Sequence, residues 1–183
     1  NRLITLTEDF LKGFNNALYD ETKDASGIVL ETCGKFWGKG FIKKFREEIK
    51  SYHGKDLSEI PMFTVNILFQ DLWKKHGWGK ITINWKEAFE TGIFSIEVEN
   101  SVFSEILGSE NTLSDQIFQG FFSSVFSDIL SKQLDCFQTE YKEYGLYSKS
   151  TFILAIPERT KDVQSMVEGK KSHDEILSNI KGK

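Results

Sequence analysis

Apolar residues in the first part of the chain recur at three- and four-residue spacing, the period of an amphipathic helix. Thr7-Glu8-Asp9-Phe10 reads as a helix start, with Thr7 as N-cap and acids in the first turn, and predicts a short helix to about Tyr19. From about Ala25 to Lys50 the positions Ile28, Leu30, Phe36, Trp37, Phe41, Ile42, Phe45 and Ile49 predict a longer one. Gly34, Gly38 and Gly40 interrupt it. Each interior glycine costs about 1 kcal/mol, so three of them predict close helix approach or a break near Gly38. A polar loop, Tyr52-His53-Gly54-Lys55-Asp56, precedes Ser58-Glu59-Ile60-Pro61, which opens a third helix with proline in its first turn. That helix carries Phe63, Ile67, Leu68, Leu72 and Trp73, and stops at His76-Gly77-Trp78-Gly79.

The period then changes to two. Ile81, Ile83 and Trp85 alternate with polar residues, as do Phe94, Ile96 and Val98, which predicts two half-buried strands. The short connection through Gly92 predicts that they pair antiparallel. From Thr112 to Leu134 the helical period returns, with a wide apolar face of Ile117, Phe118, Phe121, Phe122, Val125, Phe126, Ile129 and Leu130 around Gly120. Cys136 to Tyr144 and Thr151 to Ile156 read as strands about a turn at Gly145-Leu146-Tyr147-Ser148. Lys161 to Gly182 is polar and reads as one or two exposed amphipathic helices or a loose tail. The order predicts an α+β fold: an antiparallel sheet of about four strands packed against helices, in one compact domain.

The length of 183 residues suits one domain with a proper core. The 16 phenylalanines and four tryptophans stand against only two prolines. They read as an aromatic core or as the lining of a pocket for a flat, greasy ligand. A net charge of −4 argues against nucleic acid as a partner. Two cysteines exclude a disulfide framework and a four-thiolate zinc site. No apolar run approaches the roughly 18 residues of a membrane span. Arg2-Leu3-Ile4-Thr5 leads into Glu8-Asp9, unlike a signal peptide, so a cytoplasmic, reduced protein is expected.

Motifs for catalysis are lacking. His53, His76 and His173 show no metal-ligand spacing, and His76 reads as a helix-end residue. Cys33 and Cys136 read as small buried side chains. No nucleophile elbow, phosphate loop or dinucleotide fingerprint occurs. Gly34-Lys35-Phe36-Trp37-Gly38-Lys39-Gly40 follows no strand and is discounted as a phosphate loop. Lys35, Lys39, Lys43, Lys44 and Arg46 form a basic stretch, read as a solvated helix face or as a contact for an acidic partner or membrane headgroups. Glu97, Glu99 and Glu105 read as a wet strand face and the turn after it.

The stretch Gly79 to Ile156 resembles the 4-vinyl-reductase-type domain, a small-molecule-binding relative of the tethering subunits of the transport protein particle. The resemblance rests on Val98-Glu99-Asn100-Ser101-Val102-Phe103, on Gln116-Ile117-Phe118-Gln119-Gly120-Phe121-Phe122, and on the closing pair from Cys136 to Gly145 with Phe152-Ile153-Leu154. The upstream helix Ala25-Ser26-Gly27-Ile28-Val29-Leu30 also fits, so the likeness spans Thr7 to Pro157. It assigns residues 1–157 to a ligand-binding domain and 158–183 to a polar helical tail. It implies an antiparallel sheet with helices on one side, frequent dimers, and an apolar cavity between helices and sheet. It also implies links to tetrapyrrole biosynthesis, aromatic-compound sensing and acyl-chain binding. The family often carries two cysteines flanking the turn glycine. Here Tyr141 and the region Ser148 to Ser150 stand in their places, which puts a thiol- or metal-based role in question.

The expected function is non-catalytic binding of a hydrophobic small molecule, a tetrapyrrole or acyl chain, with a role in pigment handling or assembly of a larger, photosynthetic complex. The expected ligand-binding residues are Trp37, Phe41, Trp73, Trp85, Phe118, Phe121, Phe122 and Phe126. A bound tetrapyrrole or lipid is the expected cofactor, and a homodimer or complex partner is expected, with peripheral membrane contact through the basic stretch. The alternatives are a dimeric tethering protein whose aromatics are plain core, and a tetrapyrrole vinyl reductase fed by an external donor, since no electron-carrier site is present. No residue is assigned to catalysis or to a metal. The reading depends on the rings of the long second-half helix enclosing a vacancy.

Overall fold

The computed structural model describes residues 6–107 and 113–182. The readings at Arg2 to Thr5, at Thr112 and at Lys183 lie outside them.

Helix α1 (Glu8–Thr22) starts as expected, with Thr7 Oγ1 accepting the Phe10 N–H at 3.3 Å, and runs three residues past Tyr19. A 3-10 turn leads into α2 (Ser26–His53), which is unbroken and closes on Gly54 in the left-handed conformation, φ +68°. Of the two expectations for its glycines, close approach is the one realised, at Gly34 and Gly38 but not at Gly40. The opposing helix is α6 (Gln116–Leu130). A Cβ on Gly34 would overlap the Ile117 carbonyl, and one on Gly38 would lie 2.8 Å from the Phe121 carbonyl. Gly120 of α6 returns the contact, since its Cβ would overlap the Glu31 carbonyl.

Helix α3 (Met62–Lys75) follows Pro61 and a 3-10 turn at Leu57–Glu59. Strand β1 (Lys80–Ile83) is shorter than expected. Trp85 is not a strand residue: it opens a helix, α4 (Trp85–Thr91), because the Asn84 side chain accepts the Glu87 N–H at 3.1 Å and caps it. Strand β2 (Phe94–Glu99) still pairs antiparallel with β1, placing Ile81 opposite Val98 and Ile83 opposite Ile96. The connection is thus a short helix in place of a tight turn. Helix α5 (Val102–Leu107) precedes α6, which ends at Leu130, four residues before Leu134, and is closed by Ser131 with φ +52°. Strands β3 (Asp135–Glu143) and β4 (Ser148–Ala155) form a hairpin closed by the Tyr144 N–H donating to the Tyr147 carbonyl at 2.8 Å.

The sheet order is β1-β2-β4-β3, antiparallel throughout, so the predicted α+β class holds. One face presents Ile81, Ile83, Phe94, Ile96, Val98, Cys136, Phe152 and Leu154 to a core shared with α2, α3 and α6. The other face is also covered. After α7 (Pro157–Thr160), helices α8 (Val163–Glu168) and α9 (His173–Lys181) bury Val163, Ile176 and Ile180 completely against Ile93, Ile153 and Ala155. The expected helices after Lys161 therefore exist, but one side of each is core instead of solvent-exposed. The resemblance placed helices on one side of the sheet, and this chain has them on both.

His173, the first residue of α9, anchors that second layer. Its Nδ1 lies 2.8 Å from Thr139 Oγ1. Thr139 is the extra residue of a bulge in β3, between the pairs Gln138–Phe152 and Glu140–Thr151. Burial holds the imidazole pKa below its ordinary value, against the opposing pull of Glu140, Asp174, Glu87 and Glu97. The folded state then takes up its proton at lower pH than the unfolded chain, whose value is about 6.5. Its contribution to stability is complete above about pH 6.5 and is lost as the pH falls toward and through the folded-state value. Thermal unfolding of His173→Asn should accordingly lose part of the wild-type dependence on pH below 6.5. An unchanged slope would exclude His173 as its source.

Candidate functional site

The eight sequence-predicted residues converge. Trp37 and Phe41 come from α2, Trp73 from α3, Trp85 from α4, and Phe118, Phe121, Phe122 and Phe126 from α6. Ring centroids lie 4.3 Å apart for Trp37–Phe121, 5.0 Å for Phe41–Phe121, 4.7 Å for Trp73–Phe118 and 5.2 Å for Trp73–Phe122. Trp85 joins through Phe126 at 6.0 Å. Tilted and edge-on pairs at such distances are the favoured aromatic arrangements. Phe118, Phe121 and Phe122 are fully buried, while Trp37, Phe41 and Trp85 keep one edge toward the surface.

Sequence reading missed Phe69, Trp78, Phe94, Phe103 and Phe152, which belong to the same network. Trp78 is the instructive one. It follows Gly77 in the turn after α3, a position that pattern alone assigns to a loop. In the fold it contacts both Trp37, at 4.8 Å, and Trp73, at 5.1 Å, and carries the His76 ring stacked on it at 4.5 Å.

The rings of the cluster pack on one another. Three clefts of about 520, 650 and 680 Å³ mark the surface, and none of the eight residues lines any of them. The rings touch one another instead of framing one of these openings. The smallest of the three lies between α2 and α3, over Phe45, Ile49, Leu68 and Leu72, with His53 and Asp71 on its rim. A guest in the aromatic cluster requires rings to part.

One polar atom inside the cluster is unsatisfied. Trp73 is 1% exposed, and its indole Nε1–H has no hydrogen-bond partner among the described residues. Trp85, by contrast, donates its indole N–H to Asn66 Oδ1 at 2.8 Å. An unmade buried hydrogen bond costs about 1–3 kcal/mol. The Trp73 ring lies among those of Phe69, Trp78, Phe118, Phe121 and Phe122.

Beside this shell lies a buried polar knot that no sequence motif announced. Asp115 precedes α6, where an N-cap is expected, but its carboxylate turns inward. It accepts the hydroxyls of Ser101 at 2.5 Å, Ser104 at 2.6 Å, and Ser150, with the Gln138 amide at 3.5 Å. The Asp115 N–H donates to Gln138 Oε1 at 2.9 Å. Burial raises the Asp115 pKa, and the serine hydroxyls pull it back. These bonds join α5, α6, β3 and β4 and engage both carboxylate oxygens. Among the described residues the partners of the Asp115 side chain are hydroxyls and an amide, which tie these elements together.

The remaining candidates sort simply. Cys136 is buried, and desolvation pushes its thiol well above the usual range, so it is unreactive. Cys33 is exposed, against expectation, because it lies on the outer side of α2. Among the described residues no group of three or more His, Cys, Asp or Glu could hold a metal ion. No described helix is long and apolar enough to cross a membrane. Glu97 and Glu99 of the wet strand face pair with Lys149 at 2.8 Å and Lys80 at 3.0 Å.

The fold and cluster define a class: an antiparallel four-stranded sheet between two helical layers, with an aromatic network under the long helices. No family model matches the chain, and no curated protein matches it. Among solved structures it is similar to the crystal structure of the phenol-responsive sensory domain of the transcription activator PoxR with phenol. That likeness has a TM-score of 0.62 at 14% identity, over 93% of this chain and 85% of the other. It establishes a shared fold.

Proposed function

We propose that this protein is a non-catalytic binding module for a small apolar molecule bearing a hydrogen-bond acceptor, of the phenol class, taken up in the aromatic cluster beside Trp73. The observation that carries the reading is the unpaired indole N–H of Trp73 in an apolar shell. A guest whose oxygen accepts that proton removes an unmade hydrogen bond and gains apolar burial worth roughly 25 cal/mol per Å². The edge at Trp37 and Trp78, both half-buried, is the natural side for entry. The shared fold with a domain crystallised with phenol supports a ligand of this size. The kinship with 4-vinyl-reductase-type domains belongs to the same proposal. A tetrapyrrole or acyl-chain ligand, and a part in pigment handling or complex assembly, would be its wider form. A single ring is favoured over a macrocycle because the closed packing beside Trp73 need open less.

Isothermal titration with phenol tests this. Binding should saturate, and Trp73→Phe should weaken it about fivefold, the worth of one neutral hydrogen bond of about 1 kcal/mol. Toluene, which lacks an acceptor, should bind both forms alike. Absence of saturable phenol binding, or equal binding by Trp73→Phe, would overturn the proposal.

A further inference from the structure

We infer a second site: the cleft between α2 and the C-terminal end of α6 takes a phosphate group. The cleft is an open groove of about 650 Å³, within the usual volume range for small-molecule sites. Lys35, Lys39 and Lys43 line one wall, at four-residue intervals that place them on one face of α2. Lys132 stands on the opposite wall, just past α6. The cleft also holds two carboxylates, Asp128 and Asp135. Both are engaged by groups outside it: Asp128 by Arg46, at 2.6 Å, and Asp135 by the Thr160 hydroxyl, at 3.1 Å. Lys35 is neutralised by Glu31. Lys39, Lys43 and Lys132 have no carboxylate partner among the described residues.

Lys39, Lys43 and Lys132 thus border one hollow without a carboxylate partner, in a chain whose net charge is −4; Lys39 Nζ also lies 5.9 Å from the Phe36 ring centroid, and the Thr160 hydroxyl brings no positive charge to Asp135. Like charges at i and i+4 repel, so the arrangement is disfavoured until an anion joins it. Hydroxyl donors are present too. Ser123 and Ser127 are tied to the Leu134 carbonyl, while the hydroxyls of Ser124 and Ser131 have no hydrogen-bond partner among the described residues. The C-terminal dipole of α6 opposes an anion, and Lys132 lies beside that end to offset it. Several point charges plus hydroxyls match an anion with multiple acceptor oxygens and more than one charge, which describes phosphate better than a lone carboxylate. The phosphate could belong to a soluble ester or to a lipid headgroup. The inference is independent of the apolar site, since the two share no residue.

Titration of the full chain with inorganic phosphate at low ionic strength, followed by calorimetry, tests it. Saturable binding is expected. The triple variant Lys39→Ala/Lys43→Ala/Lys132→Ala should weaken it at least about tenfold, from three partly exposed contacts together. A matched triple elsewhere on the surface, Lys55→Ala/Lys74→Ala/Lys86→Ala, should leave it nearly unchanged. Circular dichroism should show both triples folded, as all six lysines are exposed. Vesicles of phosphatidylcholine with phosphatidic acid then separate the sources. Vesicle binding that phosphate displaces supports a headgroup, and phosphate binding without vesicle binding supports a soluble ester. No saturable phosphate binding, or equal loss in both triples, would overturn the site, even if vesicles bind.

Discussion

Gly120→Ala should destabilise the domain by roughly 3 kcal/mol or more, although it adds a single methyl to a helix and alanine is the better helix former. The added Cβ would overlap the Glu31 carbonyl oxygen and lie 2.9 Å from the Lys35 nitrogen, both backbone atoms of α2. Backbone cannot swing aside as a side chain can. The two helices would have to separate along their length, and Gly34 and Gly38 show that they meet at three points. Separation loosens the packing of Phe118 and Phe121, which extend from the same stretch of α6. The matched control is Gly40→Ala, where a Cβ would meet nothing within 4 Å. That change should stabilise by up to about 1 kcal/mol through helix propensity alone. Urea unfolding of the two variants should therefore shift in opposite directions. A Gly120→Ala midpoint at or above the wild-type value would mean that α2 and α6 are not in backbone contact.

The same glycines show how far pattern reading reached. Their spacing announced close approach or a break, and only the partner helix decides between the two. Period-two alternation placed β2 correctly, since Phe94, Ile96 and Val98 alternate in burial as the pattern requires. It failed at Trp85, where the alternation continued but Asn84 could cap a helix; a local side-chain hydrogen bond outweighed the strand pattern. The C-terminal segment misled for another reason. Its composition is polar, yet the few apolar residues, Val163, Ile176 and Ile180, share one side, and the sheet offered a second apolar face to meet them. That face arises because β4 alternates Phe152 and Leu154 with Ile153 and Ala155, an apolar run that alternation could not resolve into one wet and one dry side.

The aromatic network was legible because phenylalanines at helical spacing have one place to go. What pattern could not supply was its state. Whether rings fill space or enclose it depends on ångström-scale offsets between helices, and these depend on the α2–α6 contact at the glycines. Nor does a sequence show which indole lacks a partner. Trp73 and Trp85 are indistinguishable as letters, but Asn66 lies within reach of Trp85 alone. Asp115 was not singled out by pattern, because its inward turn depends on serines from β4 and the region around α5 that converge only in three dimensions.

Phe122→Ala should lower stability by about 3–5 kcal/mol, the usual range for a buried phenylalanine truncated to alanine. The ring is fully buried and has five aromatic neighbours: Trp73, Phe118, Phe121, Phe126 and Phe152, at 5.2, 5.9, 5.8, 6.3 and 5.2 Å. At about 2–4 °C per kcal/mol for a chain of this size, melting should fall by roughly 6–20 °C. The surrounding rings and the sheet limit collapse, so truncation should leave a dry, apolar void in contact with the Trp73 indole. Such a void binds benzene, and binding to the native state alone raises the melting temperature by mass action. Benzene should then raise the melting temperature of Phe122→Ala more than that of the wild type, whose rings must first part. Phenol should raise it further still, because its oxygen can accept the Trp73 N–H. An equal benzene shift in both proteins would mean that the wild-type cluster already opens without cost. A loss below about 1 kcal/mol on truncation would mean that Phe122 is not held by the neighbours it touches.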